Sequence, residues 1–203
     1  MSVEKRIGAV ITAAGLSRRM KTLKQVLPIG EMTMAEHVVS RFEAVGADPI
    51  VVVTGYRGDE VRQALSGRQV TFLENPDYET TQMFDSVRIG FDHIRDRCDR
   101  VFFTPVDVPL FSIGTLRKEI ETDAAIVIPA EDGMTGHPVL IDTAYIPQIL
   151  DYEGEAGLRG ALESCDAGMT FVDVQDQGAL IDADTQEDYR KLLDYYAKNG
   201  NIK

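Results

Sequence analysis

The sequence predicts an α/β fold with a mostly parallel central sheet covered by helices on both faces. Three observations carry this. Short apolar, β-branched runs such as Ile7–Thr12 and Ile50–Val53 read as strands buried on both sides. Between them lie stretches with helical spacing of apolar residues, as in Met34, Val38, Phe42 and Val45. The two patterns alternate along the chain, the arrangement that builds right-handed crossovers and a parallel sheet.

The elements follow in order. A strand at Ile7–Thr12 leads through Ala13-Ala14-Gly15 into a basic loop. A helix spans Thr33–Val45 and stops at Gly46, and Ile50–Val53 is a strand. Gly58–Leu65 reads as a short helix and Val70–Leu73 as a strand, before a turn at Asn75-Pro76-Asp77. Ser86–Ile94 is a helix, with Ser86 as a candidate cap. The strand Val101–Phe103 runs into Pro105-Val106-Asp107-Val108-Pro109 and is halted by the prolines. A helix over Ile113–Ile120 follows. Strands at Ala125–Ile128 and Pro138–Ile141 flank a glycine-containing loop. Short helices at Tyr145–Leu150 and Leu158–Leu162, a strand at Thr170–Val174 and a helix over Thr185–Ala197 complete the pattern. Residues 1–197 are expected to form one domain. The polar stretch 198–203 is either a frayed end or the start of a linker.

Composition bounds the function. The 203 residues carry a net charge of -12, which argues against a general nucleic-acid binder. It leaves room for an enzyme of nucleotides, where a few local cations suffice. No apolar run approaches the ~20 residues of a membrane helix. The N-terminus, with Glu4, Lys5 and Arg6, leads into a strand too short for a signal-peptide core. Cys98 and Cys165 lie far apart without metal-site spacing, as expected of a reducing compartment. A cytoplasmic location is the expectation.

Five segments carry candidate chemistry. In the first, Thr12-Ala13-Ala14-Gly15 is followed by Ser17, Arg18, Arg19, Lys21 and Lys24. Small residues let backbone N–H groups approach phosphate oxygens, and the cations neutralise them. Arg18 or Arg19 suits β- and γ-phosphates, and Lys24 suits the α-phosphate in the transition state. An ordinary strand–helix turn with solvated cations is the alternative. Second, Asp107 at a strand's carboxyl end suits Mg²⁺, or is a turn aspartate. Third, Asp182 and Asp184 share a face if extended, and with Asp107 could complete a metal site. Asp184 or Thr185 also suits a helix cap, with Glu187 or Asp188 in the first turn. Fourth, Ser86 and Arg88 open a helix whose amides could face an anion. Fifth, Gly136-His137-Pro138 places a histidine in a loop suited to contact an acceptor.

Taken together, these segments resemble the small nucleotidyltransferases of molybdenum cofactor biosynthesis. Ala14, Gly15, Ser17, Arg19, Met20, Lys24, Leu27 and Pro28 match that family's A-A/G-G-x-S-x-R-M-G-x-x-K-x-L-L-P motif. Asp107 sits in a D-x-P block, and Met83, Ser86, Arg88 and Gly90 match a G-M-x-x-S-x-R-x-G element. Gly136-His137-Pro138-Val139-Leu140 is similar to the G-H-P-V-L segment of the molybdopterin cytidylyltransferase branch. Asp182 to Asp188 is similar to its D-x-D-T-P-E-D ending. Departures fall at Lys21, Gln82, Leu158 and Gln186.

The resemblance implies a Rossmann-like three-layer nucleotidyltransferase fold, an NTP donor, Mg²⁺, and NMP transfer to a phosphorylated acceptor with pyrophosphate release. It implies Lys24, Arg19 and Asp107 as catalytic residues and Thr12–Gly15, Ser17, Arg18, Arg19, Lys24, Ser86 and Arg88 at the nucleotide. It places Gly136, His137 and Pro138 at the acceptor. Asp107 would hold the metal with Asp182, or alternatively Asp184. CTP and a molybdopterin-type acceptor are the expected substrates, with a molybdoenzyme or maturation factor as a contact. A sugar 1-phosphate or phospho-alcohol acceptor, and a non-catalytic nucleotide-binding module, are the other readings.

Overall fold

The computed structural model describes residues 5–20 and 22–199. Glu4, Lys21 and residues 200–203 of the expected tail lie outside the described residues.

A first strand, β1 (Ile7–Ala13), is followed by a small hairpin, β2 (Pro28–Ile29) and β3 (Met32–Thr33). Then come α1 (Met34–Ala44), β4 (Ile50–Thr54), α2 (Gly58–Ala64), β5 (Thr71–Glu74), α3 (Met83–Ile94) and β6 (Arg100–Pro105). The second half holds α4 (Ile113–Glu121), β7 (Ile126–Glu131), β8 (Met134–Thr135), β9 (Val139–Asp142), α5 (Ile146–Leu150), α6 (Gly157–Glu163), β10 (Thr170–Asp173) and α7 (Gln186–Asn199).

The main sheet runs β10-β7-β9-β6-β1-β4-β5, with β8 on β7. β1 pairs in parallel with both β4 and β6, and only β9 and the short β8 run against the rest. The fold is thus the expected three-layer α/β sandwich around a mostly parallel sheet. Side-chain alternation along β1 serves both faces. Ala9, Ile11 and Ala13 pack under α1, α2 and α4 with Val39, Phe42, Val61 and Leu116. Val10 points to the other side, against Val87, Phe91 and Ile94 of α3, a layer that α5 and α6 extend through Ile146, Ile149 and Leu162.

Helix ends follow local chemistry. Thr33 and Glu36 form a capping box at α1, with Glu36 N donating to Thr33 Oγ1 at 3.3 Å and Thr33 N to Glu36 Oε2 at 2.7 Å. Helix α3 begins three residues before the expected start. Gln82 and Asp85 form its capping box, so Ser86 is no cap and lies buried inside the helix. Glutamine is a poor capping residue, which is why its role does not show in the sequence. Helix α7 reaches Asn199, so the first residues of the expected tail are helical.

The chain builds β4 and β5 on one side of β1 and then crosses to place β6 on the other. Strand order therefore reverses at β1, and ligands of open α/β sheets bind beyond the strand ends at such a point. Thr12 of β1 lies beside Pro105 of β6, so the loop after Ala13 and the Asp107 turn are neighbours there.

Candidate active site at the carboxyl ends of the first and sixth strands

The loop after β1 is shaped by a residue that follows it. Gln25 is completely buried, and its Nε2 donates to the carbonyls of Ala13 and Gly15 at 3.0 and 3.1 Å. Ser17 Oγ donates to Gln25 Oε1 at 3.3 Å and accepts from the Lys24 backbone N–H at 3.2 Å. Ser17 itself takes a left-handed φ of 49°. In a trans peptide the N–H points opposite to the C=O of the same plane. With the Ala13 and Gly15 carbonyls turned to Gln25, the N–H groups of Ala14 and Leu16 face away from it. A Cβ built on Gly15 would meet nothing within 4 Å, so the backbone there is open to a ligand. Beside it Thr12 Oγ1 is buried with no partner among the described residues.

The second feature is a relay of charges. Lys24 Nζ donates to Asp107 Oδ2 and, at 3.0 Å, to Asp184 Oδ1. Arg19 binds the other oxygen of Asp184 at 2.8 Å. The Lys24 and Asp107 side chains are only 13% and 14% exposed. Burial disfavours the ammonium of Lys24, but the two carboxylates outweigh it and hold its pKa above the usual value. Burial likewise disfavours the Asp184 anion, and the hydrogen bonds and charges of Lys24 and Arg19 outweigh it, so its pKa is lowered. Asp182 is pushed up by desolvation and by the charges of Asp184 and Asp107.

Residues 182–186 reach this place through backbone and capping contacts. Ala183 N donates to the Asp107 carbonyl at 2.9 Å. Thr185 and Asp188 form the expected reciprocal cap, with Asp188 N on Thr185 Oγ1 at 3.2 Å and Thr185 N on Asp188 Oδ2 at 3.0 Å. Gln186 Nε2 holds the Met20 carbonyl at 3.1 Å, tying α7 to the basic loop.

The expected metal trio of Asp107, Asp182 and Asp184 is not gathered as a trio. Among the described residues no three His, Cys, Asp or Glu side chains form a ready metal site. Asp107 and Asp184 share Lys24; Asp182 is exposed, yet close enough for the charges of Asp184 and Asp107 to raise its pKa. Two carboxylates still fit a hard divalent ion. Asp107 Oδ1 is buried without a partner among the described residues, and Mg²⁺ is commonly held by one or two carboxylates plus substrate phosphates.

Two cavities lie in this part of the fold, and Lys24 and Asp107 line the smaller. A small one, about 140 Å³, lies between Thr12–Gly15, Lys24, Asp107, Asn75 and Ser86. Asn75 Nδ2 donates to Ser86 Oγ and Thr81 Oγ1, both at 3.0 Å, and so sets that wall. The second, about 440 Å³, is lined by Phe84, Phe103, Ile128, Leu162 and Phe171, with Gly136, His137 and Arg159. Gln82 and Met83 at the start of α3 line both. His137 stands edge-on to Phe103 at 5.6 Å, and its Nδ1 is buried without a partner among the described residues. Burial lowers its pKa, against the pull of Asp107 and of the Phe103 backbone.

Several expected contacts fall elsewhere. Arg88 does not line the smaller cavity. Its guanidinium binds the Tyr152 carbonyl, lies 3.5 Å from Asp85 and covers the Phe84 ring, which commits it to the loop before α6. Pro138 is buried beside the larger cavity rather than on its lining. Arg18 is exposed and lines neither cavity. Ser17 shapes the loop from beneath. Gln25 and Asn75 were not marked as site residues, and Gln186 was marked only as a departure from the motif.

A small-residue loop, a lysine and paired carboxylates at the switch point of a parallel sheet define the nucleotidyltransferase class of α/β proteins. The chain belongs to the MobA-like NTP transferase family, whose model matches residues 9–169. It is 29% identical over 195 residues to the molybdenum cofactor cytidylyltransferase of Escherichia coli K12, covering 95% of this chain and 98% of that one. Among solved structures it superposes on a nucleotidyl transferase from Methanothermobacter with a TM-score of 0.84 and 26% identity, covering 96% and 99% of the two chains. It also superposes on Rv0371c from Mycobacterium tuberculosis, with a TM-score of 0.77 and 25% identity over 93% and 98%. The latter protein has also been solved in complex with manganese.

Proposed function

We propose that the protein transfers CMP from CTP to the phosphate of a molybdopterin-type acceptor and releases pyrophosphate, with Mg²⁺ as cofactor. The observation that carries this reading is the Lys24 ammonium bridging Asp107 and Asp184 on the wall of the cavity that Thr12–Gly15 line, which shares Gln82 and Met83 with the larger apolar cavity. The E. coli cytidylyltransferase matched over nearly its whole length supports the choice of substrates.

In this reading the Ala14 and Leu16 amides and Arg19 hold the triphosphate, and the small cavity favours a pyrimidine over a purine. An acceptor phosphate oxygen attacks the α-phosphorus in line, and the bond to the β-phosphate oxygen breaks. Lys24 turns from the carboxylates to the α-phosphate and stabilises its developing charge. Asp107 and Asp184 would hold Mg²⁺, which when bound supplies charge neutralisation at the phosphates. The acceptor phosphate is already ionised near neutral pH, so no general base is needed. The second cavity is lined mainly by aromatic and aliphatic side chains, which suits a flat heterocycle better than a sugar.

The test is pyrophosphate release from each of four NTPs with Mg²⁺ and either molybdopterin or a panel of sugar 1-phosphates. Release with CTP and molybdopterin is expected. Turnover confined to a sugar phosphate would replace the acceptor, and tight CTP binding without release would make the protein a nucleotide-binding module.

A further inference from the structure

The geometry points to Lys24 as a placeholder cation: in the nucleotide-free protein its ammonium occupies carboxylate oxygens that a divalent ion would take, so metal and nucleotide bind as one coupled event. This rests on the reading of Asp107 and Asp184 as the metal-holding pair.

The argument begins with the partners of the ammonium. Lys24 Nζ is bonded to one oxygen of Asp107 and one of Asp184, and its side chain is 13% exposed. A metal ion arriving alone must displace it from both. The ammonium would then sit mostly out of water without an acceptor, and stranding a buried charge in this way is costly. A nucleotide arriving alone meets the opposite problem. Drawing Lys24 onto phosphate strips its cation from two nearby carboxylates, one with an oxygen already buried and unpartnered. Arg19 remains on Asp184 alone and is exposed, so it replaces little of that charge.

When both ligands arrive, the two costs cancel. Phosphate oxygens accept the ammonium, and the carboxylates take the metal. Coupling of this kind is reciprocal, so metal tightens nucleotide by the factor by which nucleotide tightens metal. The backbone supports the exchange. The Lys24 N–H is fixed to Ser17 Oγ, so the side chain swings from a stationary root on the wall of the cavity.

Mn²⁺ binding without nucleotide, followed by the electron paramagnetic resonance signal of the free ion, tests this directly. Lys24→Met should bind Mn²⁺ about tenfold tighter than the unmodified protein, within the usual range of site-to-site coupling. Adding Asp107→Asn to Lys24→Met should abolish that gain. Equal or weaker Mn²⁺ binding by Lys24→Met would overturn the inference, because the ion would then be using Asp107 Oδ1 while Lys24 stays in place. Retention of the gain in the double variant would overturn it too, by putting the ion elsewhere. Should Lys24→Met fail to fold, as judged by circular dichroism, Lys24→Gln carries the same expectation. Failure of the proposed transfer is read separately, from pyrophosphate release by the unmodified protein. A protein that releases none yet shows the Mn²⁺ gain keeps the inference, and an active one without the gain loses it.

Discussion

The amide nitrogen of Gln25 lies 3.0 Å from the Ala13 carbonyl, joining the end of the first strand to a residue twelve positions later. That nitrogen also reaches Gly15, so one side chain sets the turn of two peptide planes under the candidate phosphate loop.

Replacing Gln25 with methionine keeps the volume and removes the donor. Two carbonyls lose their partner at a buried site, at a cost of about 1–3 kcal/mol in chemical denaturation. The loop amides lose their aim, and turnover measured by pyrophosphate release should fall by about 10²-fold, the scale of a misplacement of about 1 Å.

Lys24→Ala should lower turnover by about 10²–10³-fold, as removal of a transition-state donor does. Its 13% exposure and two carboxylate partners also give it a part in stability. Denaturation midpoints should show a measurable loss, smaller than the ~3–5 kcal/mol of a fully buried pair.

Glu119 is fully buried, and neither of its oxygens has a hydrogen-bond partner among the described residues. Burial raises its pKa well above the usual carboxyl value, with Arg100 opposing and Asp176 adding. The folded protein therefore holds this proton to higher pH than the unfolded chain, whose glutamate titrates near ~4.3. Stability from this group is full below that pH and is lost as pH rises toward the folded pKa. Glu119→Gln should match the parent in acid and gain on it as pH rises, in melting temperatures taken across that range.

Gly90 of α3 faces β1 so closely that a Cβ would collide with Val10 Cγ1. Gly90→Ala should therefore lower stability by about 1–3 kcal/mol despite the better helix propensity of alanine. Circular dichroism melts would register it.

Much of this molecule was legible in the sequence. The buried strands announced themselves as β-branched runs, and Met34, Val38, Phe42 and Val45 marked the first helix by their spacing. Asp107 was legible because prolines flank it at a strand end. What could not be read was tertiary. Lys24 meets Asp184 where Ala183 docks on the Asp107 carbonyl, a contact 76 residues away in sequence. Arg88 matched a motif, yet its guanidinium binds the Tyr152 carbonyl and does not line the smaller cavity. Gln25 looked like an ordinary loop residue because its partners are main-chain carbonyls, which leave no mark in side-chain patterns.

The contact between Lys24 and Asp184 spans 160 positions of the chain. A ribosome makes the lysine well before the aspartate. The first strand, its basic loop and most of the sheet can therefore collapse on a nascent chain whose relay is still one carboxylate short. The charge relay is completed only by the segment that leads into α7, so a product ending before Asp184 would carry the basic loop without its complete counter-charge.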